Sequence, residues 1–162
     1  MSKKQRQIAV DTHDRAIVRA LQTDGRMSNV ELAERINLSE SATLRRVRAL
    51  EEVGLIEGYS VRINQARAGL PGNVFINITL QRQDQQDLEA FEAAVQQVPE
   101  IMECYLMTGN FDYLLRVVVA DTDDFERIHS QKLTRLPGVS RVQSSFTLRT
   151  VRKSSVLPMK ED

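Results

Sequence analysis

Apolar positions follow two registers along this chain, one of helical period up to about residue 55 and one of period two from residue 73 onward. In the first stretch, Ala16, Ile17, Ala20 and Leu21 recur at helical spacing behind a possible cap at Asp11 or Thr12, and Asp24-Gly25 ends the run. Ser28-Asn29-Val30-Glu31 then reads as a capping box, flanked by Met27 and Leu32 at the spacing of a hydrophobic staple, so a helix starts at Asn29 and buries Leu32, Ala33 and Ile36. Asn37-Leu38-Ser39 follows: Asn37 tolerates the left-handed conformation that closes a helix, and Ser39 is a good cap for the next one. On that third helix, Leu44, Val47 and Leu50 are expected to lean inward, and Ser41, Ala42, Arg45, Arg48 and Ala49 outward.

Beyond Gly54, Leu55 to Ile63 alternates around glycines as a short strand or small wing would. The run NQARAGLPGN at residues 64–73 holds two glycines, a proline and few apolar residues, and reads as a linker. Val74, Ile76, Ile78 and Leu80 then alternate with Phe75, Asn77, Thr79 and Gln81 as a half-buried strand. A helix follows from Asp84 to Pro99, then strands over Ile101 to Met107 and Tyr113 to Val119 around the turn Thr108 to Asp112. A second helix runs from Asp121–Asp124 to Pro137-Gly138 with Phe125, His129, Leu133 and Leu136 on one side, and a last strand covers Val139 to Leu148. The order β-α-β-β-α-β is that of ferredoxin-like folds. The expected class is therefore α+β: a helix-turn-helix, winged-helix-like domain over residues 1–63, a linker at 64–73, and a ferredoxin-like domain over 74–162.

In that domain the inward set is Ile76, Ile78, Cys104, Leu106, Leu115, Val117, Val142, Phe146 and Leu148. The opposite sheet face carries Phe75, Tyr105, Met107, Leu114 and Val118 beside Asn77, Thr79, Gln143, Ser145 and Thr147. A patch that apolar calls for a cover, and the same face of a second copy supplies one in a two-fold dimer.

Charge changes the picture little, since 22 basic residues balance 22 acidic ones, and residues 1–64 hold 11 and 9 of them. Any affinity for nucleic acid must come from where the arginines stand, multiplied by oligomerisation. One cysteine, Cys104, excludes an internal disulfide, and two distant histidines, His13 and His129, argue against a metal site. With no apolar run of membrane length and no signal-peptide core after the basic start, the chain reads as cytoplasmic. Lys3, Lys4 and Arg6 form a basic arm able to touch phosphates. Cys104 and His129 read as packed residues.

The chemistry lies in the second and third helices. A helix with small hydrogen-bonding residues in its first turn and arginines farther along can enter the major groove N-terminus first. Ser39, Ser41, Ala42 and Thr43 are the candidates for close approach, and Arg45, Arg46 and Arg48 for guanine edges or phosphates. Asn29-Val30-Glu31-Leu32-Ala33-Glu34-Arg35, Leu38-Ser39, Leu44-Arg45-Arg46-Val47, Leu50-Glu51, Gly54-Leu55-Ile56 and Gly58-Tyr59 together resemble the DNA-binding domain of the Lrp/AsnC family of transcription regulators. Glu40-Ser41-Ala42-Thr43 departs from that pattern, which often has a proline in this turn. Thr108 to Leu115, Pro137-Gly138-Val139, Ser144 to Leu148 and Lys153 to Pro158 resemble the family's effector-binding module.

The resemblance implies a sequence-specific regulator of double-stranded DNA, tuned by a small amino-acid-like effector, without cofactor or metal. It also implies homodimers that assemble further, possibly to octamers, with effector bound near the glycine-x-x-aspartate turn. An amino-acid site needs a carboxylate for the ammonium, donors for the carboxylate and an apolar lining. Asp112, the amides of Gly109 and Asn110, Met107 with Phe111, and hydroxyls of Ser144, Ser145 or Thr147 are the candidates, although Gly109 to Asp112 also reads as a plain hairpin turn. Two other functions fit the same pattern: an amino-acid sensor acting through protein partners, and a tetrapyrrole decarboxylase-like enzyme on the same scaffold. No catalytic constellation in the sequence supports the latter.

Overall fold

The computed structural model describes residues 10–159, so the basic arm at Lys3, Lys4 and Arg6 lies outside the described residues. The chain divides into two compact units, one formed by residues up to Arg62 together with those from Arg152 onward, the other by Ile63–Val151.

The first unit is helical: α1 spans Thr12–Thr23, α2 Asn29–Ile36 and α3 Glu40–Glu52. Each start is set locally. Asp11 caps α1 and Ser28 caps α2 in capping boxes closed by Asp14 and Glu31, and Ser39 accepts from the Ala42 amide at the head of α3. Asn37 closes α2 in the left-handed region (φ 54°), which an asparagine enters at small cost. Ile17, Val18, Ala20, Leu32, Ile36 and Leu50 make the core, with Met27, Leu38, Val47 and Ile56 packed around it.

Two expectations fail in this unit. Leu55 to Ile63 forms no strand and leaves Val61 and Ile63 exposed, because a wing needs a neighbour for its backbone amides and carbonyls and no described segment of the unit offers one. The C-terminal segment, read as part of the second domain, belongs here instead. Gln22 and Leu157 exchange hydrogen bonds (2.6 and 3.3 Å), Arg19 donates to the Met159 carbonyl (3.0 Å), and Met159 packs against the helical core.

In the second unit the presumed linker is an ordered turn, with the Ala68 amide donating to Asn64 O and the Leu70 amide to Gln65 O, both at 3.0 Å. It leads into β1 (Gly72–Leu80), followed by α4 (Gln85–Val95), β2 (Ile101–Leu106), β3 (Tyr113–Val119), α5 (Thr122–Gln131) and β4 (Val139–Phe146). The strands are antiparallel in the order β2-β3-β1-β4. At Gly72 a Cβ would fall 2.5 Å from the Val119 side chain, so only glycine lets β1 start this close to β3.

Val74, Ile76, Ile78 and Leu80 of β1 and Tyr113, Leu115, Val117 and Val119 of β3 face Phe91 and Val95 of α4 and Ile128 of α5 in one core. The Tyr113 ring stacks at 4.4 Å on Phe91 and its hydroxyl donates to Glu92 (2.8 Å). Helix α5 stops at Lys132 rather than running to Leu136: Lys132 swings out of helical geometry, binds both Glu100 oxygens (2.6 and 2.7 Å), and a 3₁₀ turn over Leu133–Arg135 still buries Leu133 and Leu136. Strand β4 ends at Phe146, so Leu148, expected inside, is fully exposed; Leu106 and Phe146, near strand ends, are each more than half exposed. No helix among the described residues is long and apolar enough to cross a membrane.

Candidate functional site

Helix α3 carries the first candidate surface. Ser39, Ser41, Arg45 and Arg48 are exposed and Ala42 is half-buried. Ser41, Leu44, Arg45, Arg48, Ala49 and Glu52 line one shallow open depression. No described side chain pairs with Arg45 or Arg48.

Two predicted contacts turn the other way. Thr43 is fully buried and its hydroxyl donates to the Ser39 carbonyl (3.0 Å), so it packs inside the helical unit and is withdrawn from the contact surface. Arg46 binds Asp11 (2.7 Å) and Asp14 (2.8 Å), the two acids of the α1 capping box, and so ties α3 to α1. The Asp14 amide that donates to Asp11, aided by the Arg46 guanidinium, outweighs partial burial and holds the Asp11 carboxyl below its usual range.

Leu44, expected inside, is 40% exposed on the outward face. At 100° per residue Thr43, Val47 and Leu50 share an arc of about 60°, whereas Leu44, Val47 and Leu50 need about 120°. The narrower arc wins although it begins with a threonine, whose hydroxyl is satisfied by its own helix.

The second candidate surface is the β2-β3 hairpin. Met107, Gly109 and Asn110 are exposed and Phe111 is half-buried; Gly109 sits at φ 126°, a conformation the tip requires and side chains rarely adopt. Asp112 does not face this surface. It is 7% exposed, and its carboxylate accepts from the Leu80 amide (2.7 Å) and from Gln83 Nε2 (2.6 Å). Backbone bonds complete the lock: the Asp112 amide donates to Ile78 O and the Met107 amide to Asp112 O, both at 2.8 Å. Asp112 therefore shapes the turn and is withdrawn as the partner of a ligand's ammonium group.

The three hydroxyls on and just after β4 do not converge. Ser144 pairs with Ile76 and points to the helix side, whereas Ser145 pairs with Phe75 and lies on the open face. The Thr147 amide donates to Asn73 O at the far end of β1, five residues from the hairpin level at Ile78, or about 17 Å along the strand. In one chain the hairpin and Thr147 belong to separate places.

Cys104 is half-buried, and burial, with Glu92 nearby, pushes its thiol up to about 11, which keeps it a packed thiol. His129 stacks at 5.7 Å on Phe125. Among the described residues no cluster has the makings of a metal site.

A capped helix-turn-helix with an unpaired arginine face, joined to an α+β domain with an effector-type hairpin, defines a DNA-binding transcription regulator with a ligand-binding domain. The family model described as winged helix-turn-helix DNA-binding matches residues 10–57, and the one described as Lrp/AsnC ligand binding domain matches residues 73–157. The chain belongs to the Lrp/AsnC family. It is 42% identical to the leucine-responsive regulatory protein of Salmonella typhimurium over 98% of this chain and 97% of that one. Identity to the Bkd operon transcriptional regulator of Pseudomonas aeruginosa is 40%, over 93% and 98%. Among solved structures, a transcriptional regulator from Neisseria meningitidis in complex with L-Met superposes with a TM-score of 0.88 at 35% identity, covering 93% of this chain and 97% of that one. The family is one of regulators, so the decarboxylase-like alternative is set aside.

Proposed function

We propose that this regulator reads operator DNA in the cytoplasm with the outward face of α3 and is tuned by a small amino acid bound at the β2-β3 hairpin. The observation that carries the reading is the contrast within one helix: Arg46 is consumed by Asp11 and Asp14, while Arg45 and Arg48 project unpaired beside Ser41. Ser39, Ser41, Ala42, Arg45 and Arg48 are the DNA contacts, the serines and alanine for close approach and the arginines for guanine edges or phosphates.

The open sheet face, with Phe75, Tyr105 and Met107 all more than a third exposed, supports back-to-back pairing of two copies. Such pairing presents two copies of α3 to half-sites about 34 Å apart. For the effector, Met107, Gly109, Asn110 and Phe111 supply an apolar lip and backbone amides. Because Asp112 is turned inward and the β4 hydroxyls are remote, the pocket takes its remaining groups from another copy, which makes higher assembly part of sensing. The Neisseria meningitidis regulator solved with L-Met supports an amino acid as the ligand class.

The test is retention of a selected operator by the full-length protein against salt. Arg45→Ala and Arg48→Ala should each weaken binding and lower the salt slope by about one, with the oligomer intact. Unchanged binding in both would remove α3 from the account. A thermal-shift screen of the twenty amino acids identifies the effector, because a ligand of the native state raises stability with its concentration.

A further inference from the structure

Leu44 is out of place on a surface built to meet a polar partner. It is 40% exposed, flanked by Arg45 and sharing an open depression with Ser41, Arg48, Ala49 and Glu52. Its other edge borders a groove formed by Leu21, Met27, Leu32, Val47 and Tyr59, so it stands on the crest between that groove and the outward face of α3. As the fifth residue of the helix it also lies in the first turn and a half, the part of a recognition helix that reaches base edges.

An isobutyl group neither donates nor accepts a hydrogen bond, and the major groove offers one apolar group, the C5 methyl of thymine. From this we infer that Leu44 is a specificity-determining residue that packs against a thymine methyl in each half-site. This rests on the reading that α3 enters the major groove, and it assigns Leu44 a role the arginines cannot fill. Arg45 and Arg48 anchor the helix on guanine or phosphate; Leu44 selects thymine over cytosine, whose amino group would lose its water against the leucine without gaining a partner.

The experiment removes the methyl alone. The full-length protein selects a duplex from a random library, and that duplex is resynthesised with dU replacing dT one position at a time, then at the matching position of both half-sites. The expected result for the wild-type protein is one sensitive thymine per half-site, at which dU weakens binding about three- to fourfold, or about ten- to fifteenfold when both are replaced. Leu44→Ala and Leu44→Gln should bind the dT and dU duplexes equally at that position. Gln keeps a helix-forming stem of similar length, so it reports even where Ala loosens the groove. A wild-type protein indifferent to dU throughout overturns the assignment, as does a dT/dU ratio retained in the folded variant. Arg45→Ala and Arg48→Ala proteins that keep full affinity for the selected duplex would sink the major-groove reading itself, a result distinct from either of these.

Discussion

Arg45 and Arg46 are chain neighbours with different work. Arg46 is held by two acids, one of which, Asp14, is largely covered. Replacing Arg46 with Met should lower the stability of the helical unit by about 1 kcal/mol or less, since the pair is partly exposed and screened. Operator affinity per folded molecule should be little changed, which urea unfolding beside DNA titration will separate. Asp112→Ala tests the other reassignment. It would leave the Leu80 amide without its charged acceptor, at a cost of about 2 kcal/mol in urea unfolding. Effector affinity, read by thermal shift, should fall through loss of hairpin geometry. Asp112→Asn, which keeps an acceptor, should restore much of both. A partner of the ligand's ammonium would not be rescued so.

At the scale of elements, the helix starts of the first unit are the most local features of the fold. Ser28→Ala removes the acceptor of the Glu31 amide and should cost about 1 kcal/mol. Asn37→Gly should be nearly neutral, whereas Asn37→Val, at φ 54°, should cost about 1–2 kcal/mol. These caps also set a pH dependence. Hydrogen bonds from Ser28 hold the Glu31 carboxyl below its usual range, as the Asp14 amide and Arg46 do for Asp11. Groups with lowered folded pKa values contribute fully above the unfolded carboxylate value near 4. That contribution is lost as pH falls through the lower folded value. Stability of the helical unit, followed by circular dichroism, should therefore hold down to about pH 4 and decline below it, and Asp11→Asn should flatten that decline. The Ser28–Glu31 box was legible in the sequence because a cap depends on residues three apart, whereas the hold of Arg46 on Asp11, 35 residues away, was not. The face of α3 was legible only in part, because Thr43 and Leu44 exchange places through packing against α1 and α2.

At the scale of the molecule, the helical unit is closed by residues far along the chain. Truncation after Val151 removes the Gln22–Leu157 pair and the Met159 contact with the helical core. It should lower the melting temperature of the helical unit while leaving the sheet domain folded, and near-unchanged melting would show the segment to be a passive tail. The back-to-back pairing proposed above predicts that Phe75→Glu on the open sheet face gives monomers in analytical ultracentrifugation and weaker operator binding, because one copy cannot span two half-sites.

The capping box at Ser28, the left-handed Asn37, the period-two run of β1 and the family pattern stand in the sequence itself, since each depends on residues close along the chain. Only the folded chain decided that Arg46 is a strut and that Asp112 is a brace rather than a ligand group. It also returned residues 152–159 to the helical unit. Those outcomes depend on which distant groups compete for the same charge or amide. Such competition is settled by burial and geometry in three dimensions, and spacing along the chain does not encode it.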